Sequence, residues 1–204
     1  MIWRKMSKTV SRTVLWGVLL CSLAAGLSAC NSLDPPSPGP KGPVSSAPPN
    51  TSLPMPPLNG GSLNNLGWTV DGGQRNVFSD FRGKVLILDF YATWCRPCRR
   101  SIPHLIELQK KFADQGLQVI GLNVGGPDDL KEVPAFAQEF GIQYPLAVPD
   151  DELISFLLHD SDAIPQTFIF DRQGQLAERL IGFGPEAPDR IDSAVAAALQ
   201  TPAP

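Results

Sequence analysis

The 204-residue chain has only two histidines and four cysteines, and its 17 lysines and arginines are outnumbered by 20 acids. Each shortage closes a class of function. Four cysteines are too few for a small domain held together by disulfides. A structural zinc site needs four ligands, and the two histidines, His104 and His159, stand singly in separate segments. A formal net charge of −3 with no basic stripe is a poor match to nucleic acid. The chain shows no internal repeat and no glycine-rich phosphate loop, since Gly125-Gly126 leads into Pro127 and not into lysine. Acids are wholly missing from residues 1–29, where Arg4, Lys5, Lys8 and Arg12 stand. Without that segment 13 basic residues face 20 acids, a balance of about −7.

Residues 13–29, TVLWGVLLCSLAAGLSA, are apolar or small throughout and follow the four basic residues. A charged start, a short apolar run and a small-residue end read as an export signal. The ending LSAC, Leu27 to Cys30, resembles the lipobox of bacterial lipoproteins. That resemblance implies a signal peptide over 1–29, a lipid on Cys30 as the new N-terminus, and loss of Cys21. The alternative is an uncleaved signal anchor, because the run is only slightly shorter than the roughly 20 residues a membrane span needs. Both readings put the rest of the chain outside the cytoplasm, where disulfides persist.

The 21 prolines are too many for one fold and are concentrated after Cys30. Residues 30–60 are rich in proline, serine and glycine and carry no apolar period, as in a disordered tether. At about 3.1 Å per extended residue such a stretch reaches several tens of ångströms, either as a spacer or as plain filler.

The globular part is expected over 61–204. GWTV and NVF flank Asp71-Gly72-Gly73, a hairpin signal. KVLILDFYA is an almost unbroken apolar run, as in a central strand covered on both faces. RPCRRSIPHLIELQKKFADQG spaces its apolar residues as a helix does, with Pro103 expected to kink it and Gly116 to end it. LQVIGLNV reads as a second buried strand, DDLKEVPAFAQEF as a helix with acids at its start, YPLAV as a short strand and DELISFLL as a short helix. QTFIFD and LAERLIGF pair across Gln173-Gly174, and PDRIDSAVAAAL closes the chain as a helix. The order is that of an α/β sandwich with an antiparallel edge.

Cys95 and Cys98 in WCRPC thus fall where a buried strand ends and a helix begins. The first turn of a helix offers unpaired N–H groups and the positive end of the macrodipole, so a sulfur there is stabilised as thiolate. Thiolate is the nucleophile in disulfide exchange, and a second cysteine one turn on can resolve the mixed disulfide. Cys95 is expected to be the exposed attacker and Cys98 the buried resolver, with Pro97 restricting the loop.

WCRPC after LDFYAT, with AIPQTFIF about seventy residues on, resembles the thioredoxin superfamily, and more narrowly its membrane-tethered TlpA/ResA-like thiol:disulfide oxidoreductases. The likeness spans roughly 60–200, including a segment around Asp128 to Leu158 that plain thioredoxin lacks. It implies a thioredoxin fold, with a central mixed sheet flanked by helices, an N-terminal hairpin and a central helical and strand insertion. It further implies a cis Pro165 facing the cysteines and an Ile164 backbone that pairs with an extended substrate. The implied protein works without a bound cofactor or metal on the thiols and disulfides of other proteins. It sits on the extracytoplasmic, periplasmic face of a bacterial membrane, is fed by a membrane electron donor, and reduces cysteines for cytochrome c maturation or a copper site.

Rival readings of the pair remain. A soft thiolate pair also suits Cu(I), which would make the chain a copper-binding protein. A static clip would close too short a loop to constrain much. A peroxiredoxin-like peroxidase wants threonine and proline set ahead of one cysteine, and Thr93 stands at another offset.

Asp89 interrupts the apolar run six residues before Cys95. It either reaches water at a strand end or lies buried; thioredoxin has a buried acid at this place, which implies a proton acceptor for Cys98. Ser101 stands where many TlpA/ResA-like proteins carry glutamate, so Asp89 is the acid left to substitute. Arg96 either lowers the thiol pKa or points into solvent, while Arg99 and Arg100 are read as solvated or as docking groups for acidic partners. Trp94 is read as packing that flanks the exchange surface. His104 is expected on an exposed helix face and His159 at a helix end.

Overall fold

The structure, a computed structural model, describes residues 63–204. Cys21, Cys30, the leader and the proline-rich stretch lie outside the described residues. No helix among the described residues is long and apolar enough to cross a membrane.

The run VLILDFY forms β3 (Val85–Tyr91), and every one of its residues is buried. It is paired on both edges, in parallel with β4 (Leu117–Asn123) and antiparallel with β6 (Gln166–Phe170). Strand side chains alternate between faces, and here both faces are covered. Leu86, Leu88 and Phe90 pack with Ile120, Leu122, Phe168, Phe170, Leu153 and Leu157. Val85 and Ile87 pack with Leu105, Leu108, Val119, Ile191 and Val195. This two-sided burial explains why the sequence shows no polar alternation there.

The hairpin β1 (Gly67–Val70) and β2 (Arg75–Val77) does not stand apart. β1 also pairs antiparallel with β5 (Leu146–Pro149), which runs parallel to β4. With β7 (Leu176–Ile181) on the far edge, the sheet order is β2-β1-β5-β4-β3-β6-β7. Helix α1 (Arg96–Phe112) runs through Pro103 without a break, and a 3-10 turn then leads to Gly116 in the left-handed region. The expected helix over DDLKEVPAFAQEF is two helices, α2 (Pro127–Leu130) and α3 (Val133–Phe140). Pro134, in the first turn of α3, has no N–H to give to the Leu130 carbonyl, so the two helices do not run on as one, and Asp129 is buried, not displayed at a solvated helix start. Helix α4 (Asp151–Leu157) and the C-terminal α5 (Ala187–Gln200) complete the two layers.

Asp89 on β3 lies opposite Gly121 on one side and Thr167 on the other. A Cβ at Gly121 would stand 2.6 Å from Leu146 Cδ2 and 3.2 Å from Tyr91 Cε1. Gly121→Ala is therefore expected to cost about 1–3 kcal/mol through overpacking, read as a lower urea midpoint with unchanged slope. A variant as stable as the parent would show that Leu146 and Tyr91 yield freely.

Candidate active site

Cys95 is the N-cap of α1, and Cys98 and Pro97 sit in its first turn. The Cys98 backbone N–H donates to Cys95 Sγ at 3.2 Å. No acid stands in that first turn, so the N-terminal field acts on the sulfur unopposed from within the turn. The two cysteines form a disulfide with S–S 2.08 Å and Cα–Cα 5.3 Å. Cys95 is 4% exposed and Cys98 0%. The expected order of exposure holds, but Cys95 is not an open sulfur: Tyr91, Ala92, Ile102, Phe136 and Ile164 pack around the pair.

Facing the pair is the loop before β6. The Ile164–Pro165 bond is cis, and Cys95 Sγ lies 3.7 Å from the Ile164 carbonyl oxygen. The loop is secured from behind. Arg179 donates to Asp160 and to Gln166 Oε1, and Gln166 Nε2 donates to the Ser161 carbonyl at 2.8 Å. Asp160 is held below the usual carboxylate range by its hydrogen bonds from Arg179.

Asp89 is 1% exposed and accepts a hydrogen bond from the Thr167 hydroxyl at 2.8 Å. It shares its strand face with Ile87 and Tyr91, which pack on α1 residues Leu105 and Ile102 respectively. Asp89 therefore points to the helix that carries Cys98 and does not reach water at a strand end. Burial pushes its carboxyl up to about 7, with the Thr167 hydrogen bond pulling the other way. Ser101 is fully buried and donates to the Cys98 carbonyl at 2.9 Å, leaving no acid at that position.

Several surface expectations need correction. Trp94 is 67% exposed and contributes little packing. Arg96 and Arg100 do reach solvent. Arg99 does not simply do so: it is half-buried, donates to the Thr93 carbonyl at 3.2 Å, pairs with Glu139, and lies over the Phe136 and Phe140 rings. Two aromatic faces and a carboxylate hold a guanidinium better than water alone does. His104 is half-buried beside Phe183, with Nε2 3.0 Å from Asp192 Oδ1 but off the alignment a hydrogen bond needs. His159 Nδ1 lies 3.1 Å from the Phe156 carbonyl, at the end of α4 as expected.

The sequence reading missed Asp129. Its carboxylate accepts from the Thr93 backbone N–H at 3.0 Å, from the Thr93 hydroxyl, and from Asn123 Nδ2 at 2.7 Å. Burial works against its charge, but the hydrogen bonds from Thr93 and Asn123 outweigh it, and the carboxyl stays below its usual range. Nothing local marks Asp129 out, because an acid at a helix start is ordinary dipole chemistry.

A strand, a redox-active-type cysteine pair capping the next helix, and a facing cis-proline loop on a mixed sheet define the thioredoxin fold. The chain belongs to the AhpC/TSA family, whose profile matches residues 56–179. It is 32% identical over 111 residues to the thiol-disulfide oxidoreductase ResA of Geobacillus kaustophilus (strain HTA426), covering 54% of this chain and 62% of that one. It is 29% identical over 110 residues to ResA of Bacillus subtilis (strain 168), covering 54% and 60%. A solved thiol:disulfide interchange protein of the thioredoxin family from Chlorobium tepidum TLS superposes with a TM-score of 0.56 at 30% identity, over 65% of this chain and 92% of that one. The matches to the curated relatives thus span about three fifths of their length.

Proposed function

We propose that this chain is an extracytoplasmic thiol:disulfide oxidoreductase that reduces disulfides of partner proteins, tethered to a membrane through a lipid on Cys30. The observation that carries the reading is the Cys95–Cys98 disulfide, with Cys95 Sγ capping α1 under the Ile164 carbonyl.

In the reduced protein the Cys95 thiolate attacks one sulfur of a partner disulfide. That S–S bond breaks, its second sulfur leaves and takes up a proton, and a mixed disulfide remains. Cys98 then gives its proton to Asp89 and attacks Cys95 Sγ. The partner's first sulfur leaves as a thiol, so the partner gains two electrons and the pair is oxidised to the disulfide seen here. A dithiol donor, assigned to the membrane, must return two electrons for the next cycle.

Asp89 suits the proton step because a base with a pKa near the working pH accepts a proton and releases it again. Trp94, Arg96 and Pro97 form the rim next to the sulfur, and Ile164 and Pro165 offer backbone to an extended peptide. Apocytochrome cysteines and copper-site cysteines are the substrates this reading assigns. The Thr93 hydroxyl is engaged by Asp129, which favours exchange over a peroxide reaction that would need it at the sulfur.

The deciding measurement is the reduction potential of the pair against glutathione or dithiothreitol. A value near about −270 mV is expected of a reductant. A value near about −120 mV would sink the reductant assignment and make the pair an oxidant.

A further inference from the structure

Thr93 stands two residues before Cys95, and its backbone polar groups and its hydroxyl are all taken, by Asp129 across 36 positions and by Arg99 six positions on. Its N–H and hydroxyl donate to Asp129, and its carbonyl accepts from Arg99. Arg99 is itself seated on Glu139, Phe136 and Phe140 of α3. Both attachments therefore lead to one segment, residues 124–145. That segment is prepared for the contact. Asn123 donates to Asp129 and its own Oδ1 accepts from the Gly125 N–H at 3.0 Å. At Gly125 a Cβ would stand 2.3 Å from Asp129 Oδ2, so only glycine leaves the carboxylate its place. On the other side of Thr93, the Ala92 carbonyl accepts the Cys95 N–H at 3.2 Å, which carries the position of the turn directly to the helix cap.

We propose that Asp129 is a positioning residue that sets the redox balance of the Cys95–Cys98 pair by clasping the Thr93 turn, and that residues 124–145 act on the pair through this clasp. The proposal rests on the thiol:disulfide reading above. A carboxylate has no business in a buried place unless its donors are in register, and here the donors belong to the turn that ends in Cys95. An anion fixed at that turn also opposes a second anion on the neighbouring sulfur. It thereby restrains the Cys95 thiolate that the helix terminus favours, and a less stable thiolate makes the reduced form less stable and the pair more reducing. Arg96, Arg99 and Glu139, the charged side chains beside the turn, are unchanged in every variant below.

The test is equilibration of the full chain with glutathione, together with titration of the Cys95 thiolate by its ultraviolet absorbance. Asp129→Asn is expected to make the pair at least about tenfold easier to reduce, a shift of about 30 mV for a two-electron couple. The Cys95 titration is expected to move to lower pH. Thr93→Val, which keeps the backbone donor and the carboxylate but loses the hydroxyl, is expected to shift both by a smaller factor, and Thr93→Ser to keep the parent values. Folded Asp129→Asn with potential and titration unchanged overturns the proposal. Should that variant fail to fold, an unchanged Thr93→Val overturns it instead. A parent chain whose Cys95–Cys98 disulfide does not exchange with glutathione at any ratio of reduced to oxidised glutathione overturns the underlying thiol:disulfide reading, and this result is distinct from the other two.

Discussion

With Cys98 replaced by serine, the chain is expected to stop halfway through exchange and accumulate a mixed disulfide on Cys95. The two sulfurs are placed unequally. Cys95 Sγ caps α1 and lies beside the Ile164 carbonyl, the backbone proposed to pair with a partner strand. Cys98 is fully buried one turn on and bonded to the sulfur of Cys95. Serine at 98 keeps the volume but offers a hydroxyl that does not ionise near neutral pH and does not displace a thiol. Multiple-turnover reduction of a disulfide substrate should fall on the order of 10³-fold or more, as when a covalent nucleophile is removed. The adduct should be visible as added mass that dithiothreitol removes. Cys95→Ser should lose the same turnover without forming the adduct. Retained turnover in Cys98→Ser, or an adduct on Cys98 in Cys95→Ser, would reverse the assignment.

Asp89→Asn is expected to separate function from stability. An acid whose folded-state pKa is raised from 3.8 to about 7 binds its proton more tightly in the folded than in the unfolded chain. Its contribution is therefore most favourable at low pH and is lost as pH rises from about 4 to about 7, with no further change above that. A shift of about three units corresponds to roughly 4 kcal/mol withheld from the fold at pH 8. Asparagine carries no charge to desolvate and retains an oxygen for the Thr167 hydroxyl. Urea denaturation of the oxidised protein should show Asp89→Asn more stable by roughly 2–4 kcal/mol at pH 8, with the two proteins converging toward pH 4. The same change should slow resolution by Cys98 on the order of 10²-fold at pH 7 and remove the inflection near pH 7 from the rate profile. A variant with parent-like rates and pH profile would take Asp89 out of the proton transfer. Unchanged stability at pH 8 would show that the carboxylate finds solvation in its buried place.

This opposition between stability and rate fits a site in which one acid is kept where burial is costly. Ser101 sharpens it. The position one turn beyond Cys98 is occupied by a neutral hydroxyl already bonded to the Cys98 carbonyl, so Asp89 is the buried carboxyl on the α1 face of the strand. Asp129, the other buried carboxylate among the described residues, is tied to Thr93 and Asn123 and held ionised. The two acids differ in environment and hence in role: one lies in nearly apolar surroundings and can exchange a proton, while the other is saturated with donors and stays charged.

What the sequence determined by itself was what short-range physics controls. The unbroken run VLILDFY requires a strand buried on both faces; the spacing of Ile102, Leu105 and Leu108 requires a helix; and the junction between them puts Cys95 on a helix N-cap. The turn at Asp71-Gly72-Gly73 and the stop at Gly116 follow from backbone freedom at single glycines with positive φ. Only the tertiary structure decided what depends on partners far along the chain. It made the hairpin an extension of the main sheet through β5, because an edge strand leaves unpaired backbone groups that another strand can satisfy. It buried Asp89 between Gly121 and Thr167, turned Arg99 onto two phenylalanine rings, and brought Asp129 to Thr93 across 36 positions. Local pattern reports which face of an element is apolar; which polar group on another element meets it is settled only when the elements pack and most buried donors and acceptors find a match.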